Sequence, residues 1–351
     1  MAMEETFAPK PAGNEPWEVA IIGSGPAALT AAIYTTRGAA STIVLGGAKW
    51  GGQLMLTTDV DNYPGFEEGI QGPELMLRMR KQAERFGAEF VQDDVKGVDF
   101  DKRPFEILAG DKKYLAKTVI ISTGADTKWL GVSGEKELIG RGVSSCAPCD
   151  APFFKGKSVA VVGGGDSAME EALVLTKYAT SVMMIHRRGE FRASQAMQSK
   201  VLEYEKEGKI KIIWDTEVTE VQGGERLESV IVRTKTDSKM AEILKKGKLA
   251  ELGGELIEEK EGFVFWKLPL DGIFVAIGHV PATAIFSGKI ELDEKGYVVT
   301  KNQPSTNIGD GIFVAGDVHD YRYRQAITAA GFGCMAGMEA LRYLDKPPPS
   351  W

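Results

Sequence analysis

Two stretches of the chain repeat one arrangement: an apolar run, a glycine turn and an alanine-rich continuation. The first is Glu18 to Ala28, EVAIIGSGPAA, continuing through Leu29 to Tyr34; the second is Ser158 to Ala168, SVAVVGGGDSA, continuing through Met169 to Thr176. A further short apolar run follows each, Thr42 to Leu45 and Ser181 to Ile185. Strand, helix and strand in that order make a βαβ unit, and a parallel pair of strands needs such a crossover. Two of them predict an α/β fold with parallel sheets covered by helices on both faces. A length of 351 residues agrees with about two domains.

The glycines have a physical reading. In Gly23-x-Gly25-x-x-Ala28 the first allows a tight turn, the second lets backbone amides approach a pyrophosphate, and the small third residue lets helix and strand pack closely. Pro26 and Ala27 complete that turn, and the phosphates then sit on a helix N-terminus. Gly163-x-Gly165-x-x-Ala168, with Asp166 and Ser167, repeats the device. One such turn reads equally well as an ordinary glycine turn. Two in the same context predict two Rossmann-like dinucleotide-binding domains and two nucleotides.

The two sites differ in chemistry. Beyond the second turn, His186, Arg187 and Arg188 precede Arg192 where an acid would receive the ribose of NADH. Two or three guanidinium groups there suit a 2′-phosphate, which favours NADPH; the alternative is a solvated charge run. The first unit has Leu45-Gly-Gly-Ala48 at the matching place and lacks the acid. Polar and glycine-rich loops lie elsewhere: Trp50-Gly-Gly52-Gln53-Leu54, then Thr57 to Gly65 with Asn62 inside it. Asp310 to Asp317 reads as a strand ending in Gly316-Asp317, whose acid could receive a ribityl hydroxyl or cap the next helix.

Composition removes several classes. Hydrophobic residues at 43% and charged residues at 26% exclude a disordered, collagen-like or coiled-coil chain. A net charge of −7 argues against non-specific nucleic-acid binding. No apolar run approaches the ~18 to 20 residues that span a bilayer, so no membrane role is expected. Residues 1–16, rich in Pro and Glu, read as a flexible solvated tail and not a secretory signal. Three cysteines make no disulfide scaffold, which points to the cytoplasm.

Chemistry concentrates in Val143-Ser-Ser-Cys146-Ala-Pro-Cys149-Asp150. A Cys-x-x-Cys pair can close a disulfide across one turn, and a thiolate at a helix start is stabilised by the unpaired amides. Asp150 could move protons between thiol and thiolate if burial raises its pKa. Half a zinc site is the competing reading, but there is no second Cys-x-x-Cys and His186, His279 and His319 are scattered, so no metal is expected. Cys334 falls in an apolar helical pattern over 326–344 and reads as a packed small residue.

Together these segments resemble the low-molecular-weight thioredoxin reductases, from about Trp17 to Leu344. The resemblance is carried by Gly23 to Ala28, Gly51 to Leu54, Thr123-Gly124-Ala125, Cys146 to Asp150, Gly163 to Ala172 and His186 to Ala193, and by Ala276 to Thr283 (with Ile277 and Gly278), Ala315 to Asp317 and Tyr323 to Cys334. It implies an NADPH-binding domain at 128–272, carrying the redox-active pair, inserted into a discontinuous FAD-binding domain of 17–127 and 273–351. Electrons would pass from NADPH to FAD, then to a Cys146–Cys149 disulfide with Cys149 nearer the flavin, and Cys146 would attack thioredoxin or a thioredoxin-like protein. Asp150 would be the acid/base; Arg187, Arg188 and Arg192 the phosphate clamp; Arg324, Gln325 and Ala326 flavin contacts beside Asp317. A homodimer, and a rotation of the inserted domain through connections near Thr127 and Gly272, are also implied.

The chain departs from that family between Arg233 and Gly262, a charged segment in place of a short connection. Met240, Ile243, Leu244, Leu249 and Leu252 at helical spacing predict a surface helix there, with a partner-binding element as the alternative. Pro148 inside the Cys-x-x-Cys is a second departure. Rival functions on the same fold are a dithiol oxidase, against which the arginines speak, and a ferredoxin-dependent flavin disulfide reductase, which would lack the clamp. A ferredoxin-serving flavin reductase would not need Cys146 and Cys149, and a non-catalytic nucleotide sensor would leave the Cys-x-x-Cys-Asp run without a purpose.

Overall fold

The computed structural model describes residues 10–345 apart from Asn14, Thr58 and 302–306, so most of the expected tail lies outside the described residues. The chain divides into two compact units, one formed up to Asp126 and again from Val280, the other over Thr127–His279. In chain order the first opens with β1 (Trp17–Ile22), α1 (Pro26–Arg37), β2 (Thr42–Leu45), α2 (Gly72–Arg85), β3 (Glu89–Val91), β4 (Val95–Asp99), β5 (Phe105–Ala109), β6 (Lys112–Ile121) and β7 (Ala125–Thr127). The second holds β8 (Val143–Ser144), α3 (Ala147–Asp150), β9 (Ser158–Val162), α4 (Asp166–Leu175), β10 (Ser181–Ile185), α5 (Gln195–Lys206), β11 (Ile210–Ile213), β12 (Thr216–Gly223) and β13 (Leu227–Lys235). It continues with α6 (Lys239–Ile243), α7 (Leu249–Glu251), β14 (Glu255–Lys260), β15 (Phe263–Pro269), β16 (Gly272–Val275) and β17 (His279–Pro281). The first unit then resumes with β18 (Asn307–Gly309), β19 (Ile312–Val314) and α8 (Ala326–Leu344).

The sheet of the first unit runs β18-β19-β6-β1-β2-β3, parallel at every step from β19 to β3, with the β4–β5 hairpin added antiparallel to β6. Val19 to Ile22 are all buried, as an inner parallel strand covered on both faces requires. Helices α1 and α8 touch nearly backbone to backbone: a Cβ on Gly333 would stand 2.1 Å from the Ala27 carbonyl oxygen. That approach explains a helix rich in Ala and Gly, and α8 carries Cys334 as expected.

The second unit repeats the design with a five-stranded parallel sheet, β8-β16-β9-β10-β11, and adds an antiparallel sheet, β12-β13-β15-β14. Here the expected boundary needs correction. The run 273–279 belongs to the insertion, because Ile273 pairs with Val143 and Phe274 with Val161 inside the parallel sheet. An apolar run fits either sheet by composition, and only hydrogen-bond register assigns it. The connections therefore lie at 126/127 and 279/280, not near Gly272.

The segment 233–262 is likewise more than a surface helix. Met240, Leu244 and Leu252 are buried in one cluster with Trp266, and β14 forms the open edge of the antiparallel sheet. The helical part is broken in two by a wide turn at Leu244–Lys248, and Ile243 is exposed.

Candidate active site

The first glycine turn is dictated by space. β1 ends at Ile22, and a Cβ on Gly23 (φ +123°) would stand 2.1 Å from the Ser122 carbonyl oxygen. Gly25 then heads α1 with open space before it, since a Cβ there would meet nothing within 4 Å. The first turn of α1 contains no acid and no side chain caps it, which leaves its amides aimed at that space. Ser24 Oγ donates to the Gly46 carbonyl (2.7 Å) and accepts from Gly51 N (2.9 Å), drawing the Gly51-Gly52 turn in. A Cβ on Gly52 would lie 3.6 Å from the Gly25 Cα, and one on Gly316 would lie 2.9 Å from the Ala27 Cβ.

The fold thus gathers Gly25 and Ala27, Gly52 and Gly316 from three distant parts of the sequence. Asn62 Nδ2 donates to Gln325 Oε1 (3.2 Å) and Gln53 Nε2 to Asp126 Oδ1 (3.1 Å), while Thr123 Oγ1 and the Gly124 carbonyl are tied to Ala282. Leu54 lies in the short helical turn after Gly51, Ala125 begins β7, and Ala326 begins α8.

Asp317 is the telling residue. Its Oδ1 is sealed from solvent without a hydrogen-bond partner, and burial pushes its pKa up to about 7, aided by Asp320 and opposed by Arg324. Such an orphaned acceptor calls for a donor from outside the protein. The alternative, that Asp317 caps a helix, fails: α8 is capped by Gln325 in a reciprocal capping box with Thr328. A hydroxyl-bearing dinucleotide lying on the α1 N-terminus fits the residues present.

Two neighbours escaped the sequence reading. Asp320 accepts from the backbone amides of Arg322, Tyr323 and Arg324 and so folds the loop ahead of α8. His319, lowered to about 4 by burial, has Nδ1 3.0 Å from the Gly316 carbonyl and packs edge-on against Phe332. Nothing in their spacing marked either one.

The second glycine turn is built alike. A Cβ on Gly163 would meet the Ala276 carbonyl oxygen at 2.4 Å and the Ala168 Cβ at 2.8 Å, while Gly165 again faces open space before α4. Gly164 makes room for the His186 ring, which lies buried behind the turn with Nε2 2.9 Å from the Glu190 carbonyl. Arg192 N donates to the Gly164 carbonyl (2.8 Å), stitching the arginine loop to the glycine loop. Burial is the main cause that lowers the His186 pKa; the Glu190 carbonyl opposes it, and the charges of Arg192, Arg188 and Arg187 add to the lowering. All three are exposed, and among the described residues none is ion-paired. Ser167 lies in the first turn of α4, and Ile277 and Gly278 follow β16 in the same unit.

Cys146 and Cys149 form a disulfide, with Cα atoms 5.3 Å apart. Cys146 is the N-cap of the one-turn helix α3, whose first residue, Ala147, is fully buried, and both sulfur-bearing residues are partly exposed. Asp150 closes the turn: its amide donates to the Cys146 carbonyl (3.1 Å), and its Oδ2 accepts from Ser144 Oγ (2.5 Å). Burial raises the Asp150 pKa and the Ser144 bond opposes the rise. A carboxyl whose pKa burial raises, next to a cleavable S–S bond, is equipped for thiol–disulfide exchange. Among the described residues no group of His, Cys, Asp and Glu could hold a metal ion, and no helix is long and apolar enough to cross a membrane.

Two Rossmann-like units, one inserted in the other, with a Cys-x-x-Cys disulfide in the insertion, define a nucleotide-dependent disulfide oxidoreductase. Residues 17–333 match the pyridine nucleotide-disulphide oxidoreductase family, and the chain belongs to it. A thioredoxin reductase of Rickettsia conorii is 46% identical over 330 residues, covering 94% of this chain and 98% of that one. One from Streptomyces coelicolor is 46% identical over 340 residues, covering 94% and 97%. The solved thioredoxin reductase of Giardia duodenalis superposes with a TM-score of 0.82 at 40% identity, over 95% of this chain and 100% of that one.

Proposed function

We propose that the protein is a thioredoxin-disulfide reductase of the cytoplasm, moving electrons from NADPH through FAD and the Cys146–Cys149 pair to thioredoxin or a thioredoxin-like protein. The observation that carries this reading is the closed Cys146–Cys149 disulfide with the raised carboxyl of Asp150 at its side. The near-full-length relatives support it.

The α1 N-terminus with Gly23, Gly25, Pro26 and Ala27 would hold FAD, together with Gly52 to Leu54, Asn62, Thr123 to Ala125, Gly316, Asp317 and Arg324 to Ala326. Gly163, Gly165 to Ala168, Ile277 and Gly278 would hold NADPH, with Arg187, Arg188 and Arg192 on its 2′-phosphate and His186 behind them. A flavin held there would supply two-electron redox chemistry between a nicotinamide nucleotide and the disulfide. The protein's own groups do the rest. Cys146 as thiolate attacks the partner's disulfide, forming a mixed disulfide and expelling one partner sulfur, to which Asp150 supplies a proton. Cys149 then attacks Cys146 Sγ, re-forming the Cys146–Cys149 bond and releasing the partner as a dithiol. We propose a homodimer on the family likeness; sedimentation at twice the 38.0 kDa chain mass would bear it out.

The test is steady-state turnover with NADPH or NADH and a panel of oxidised small proteins: thioredoxin, a glutaredoxin-like protein and a peroxiredoxin-linked module. Preference for NADPH together with thioredoxin is expected. NADPH oxidation independent of any disulfide protein would overturn the reading.

A further inference from the structure

We infer that Ser144 is a positioning residue for disulfide exchange: its hydroxyl holds the Asp150 carboxyl against the Cys146–Cys149 turn and anchors that turn to the sheet. The inference rests on the reductase reading above and extends it to a buried residue outside the cysteine pair.

The geometry is specific. Ser144 ends β8, is 7% exposed, and is paired with Phe274 of β16, so its backbone is held by the parallel sheet. Its hydroxyl donates to Asp150 Oδ2 at 2.5 Å and accepts from Cys146 N at 3.1 Å. One hydroxyl has a single donor and two acceptor positions, and here the donor is committed to the acid and an acceptor to the first cysteine of the pair. The contact lies at the short end of the O–H···O range. Ser144 therefore links the attacking sulfur's backbone to the proton donor six positions later in the chain.

The link bears on a proton that must move twice. When Cys146 attacks the partner disulfide, the expelled partner sulfur takes the proton of the Asp150 carboxyl, leaving a carboxylate that the Ser144 O–H stabilises. The Cys149 thiol then returns a proton to Asp150 and, as thiolate, attacks Cys146 Sγ; the second partner sulfur leaves with the electron pair. Dithiol becomes disulfide in the enzyme and disulfide becomes dithiol in the partner. Burial pushes the Asp150 pKa up, and the Ser144 bond holds it down. The charged groups on the elements packed against α3 are Asp166, Glu170 and Glu171 of α4 and Lys155 beyond the turn Ala151–Phe154.

The experiment uses the full-length, flavin-loaded protein as parent, Ser144→Ala and Ser144→Thr. It measures kcat/KM for oxidised thioredoxin from about pH 5.5 to 9, and separately the anaerobic rate of flavin reduction by NADPH. In Ser144→Ala the limb due to Asp150 moves up by about one pH unit and the plateau falls about 5- to 10-fold, because the carboxylate loses its stabilising donor and its fixed position. Ser144→Thr, which keeps the hydroxyl, returns both toward the parent. Flavin reduction stays at the parental rate in all three. Should Ser144→Ala fail to fold, Ser144→Cys, whose thiol is a weak donor, replaces it with the same expected direction. A parental pH profile and plateau in the variant lacking the hydroxyl overturns the inference. Absence of thioredoxin turnover in the parent sinks the reductase reading itself.

Discussion

Ser194 begins α5 as its N-cap, yet its hydroxyl does not cap that helix; it donates to Asp166 Oδ1 at 2.6 Å, and its own amide reaches the same oxygen at 3.0 Å. The first residue of α4 thereby holds the far end of the arginine loop, while Arg192 N holds it to the Gly164 carbonyl. A clamp of exposed arginines binds phosphate well only if the loop that carries them is set in advance.

Ser194→Ala should loosen that loop. Binding of 2′,5′-ADP, measured by calorimetry, is expected to weaken about 3- to 10-fold, the scale of one lost hydrogen bond. Binding of 5′-AMP, which has no 2′-phosphate, should stay within about twofold. Equal losses for the two probes would mean that the latch supports the whole nucleotide site and not the clamp.

Cys149→Ser should separate the two halves of the reaction. Flavin reduction by NADPH is expected to proceed at the parental rate, while thioredoxin turnover is lost because the mixed disulfide on Cys146 has no thiol to resolve it. The trapped adduct should be visible on a non-reducing gel. Parental turnover in this variant would reassign the role of Cys149.

Asp317 predicts a pH dependence whose sign follows from its raised pKa of about 7. In flavin-free protein the fold favours the protonated carboxyl, so the stability it contributes is complete below the ordinary carboxylate range and is lost as pH rises toward 7. Flavin binding should run the other way, since a ribityl hydroxyl donates best to the ionised form, and affinity should fall on acidification through that range. Thermal melts of apoprotein and a flavin titration across pH measure the two trends. Asp317→Asn should flatten both.

Gly23→Ala and Gly25→Ala should fail in different ways. The first puts a Cβ 2.1 Å from a carbonyl oxygen at a positive φ and is expected to cost at least about 3 kcal/mol, seen as a collapse of the melting temperature. The second meets open space and has an ordinary backbone, so the protein should fold. It should bind flavin poorly, because the new methyl occupies the space the phosphates need. A Gly25→Ala variant that stays yellow would contradict the cradle.

Much of this was legible from short-range pattern. Val19 to Ile22 and Val159 to Val162 are runs that only an inner parallel strand accommodates, and a glycine turn followed by small residues can only lead into a helix packed close to it. The arginines around His186 and the pair Cys146 and Cys149 were legible for the same reason: their chemistry lies in residue type and local spacing. The boundary at 279/280 was not, since Gly272 to Val275 suits either sheet and its partners Val143 and Val161 stand more than a hundred residues away. Nor was the fate of the segment 233–262, whose helical spacing is real but is cut at Gly247 and partly buried against Trp266.

The sequence alone determined the two Rossmann-like units, the Cys-x-x-Cys pair and the run of arginines beyond the second glycine turn, because each depends on backbone freedom, apolar period or side-chain chemistry within a few residues. Tertiary structure decided which polar groups those elements serve. Ser144, Ser194 and Asp320 are ordinary residues until the sheet and helices set each beside its partner, and the orphaned oxygen of Asp317 exists only because the packed core around it excludes water. Hydrogen-bond direction and burial are properties of three-dimensional neighbours, and no local pattern encodes them.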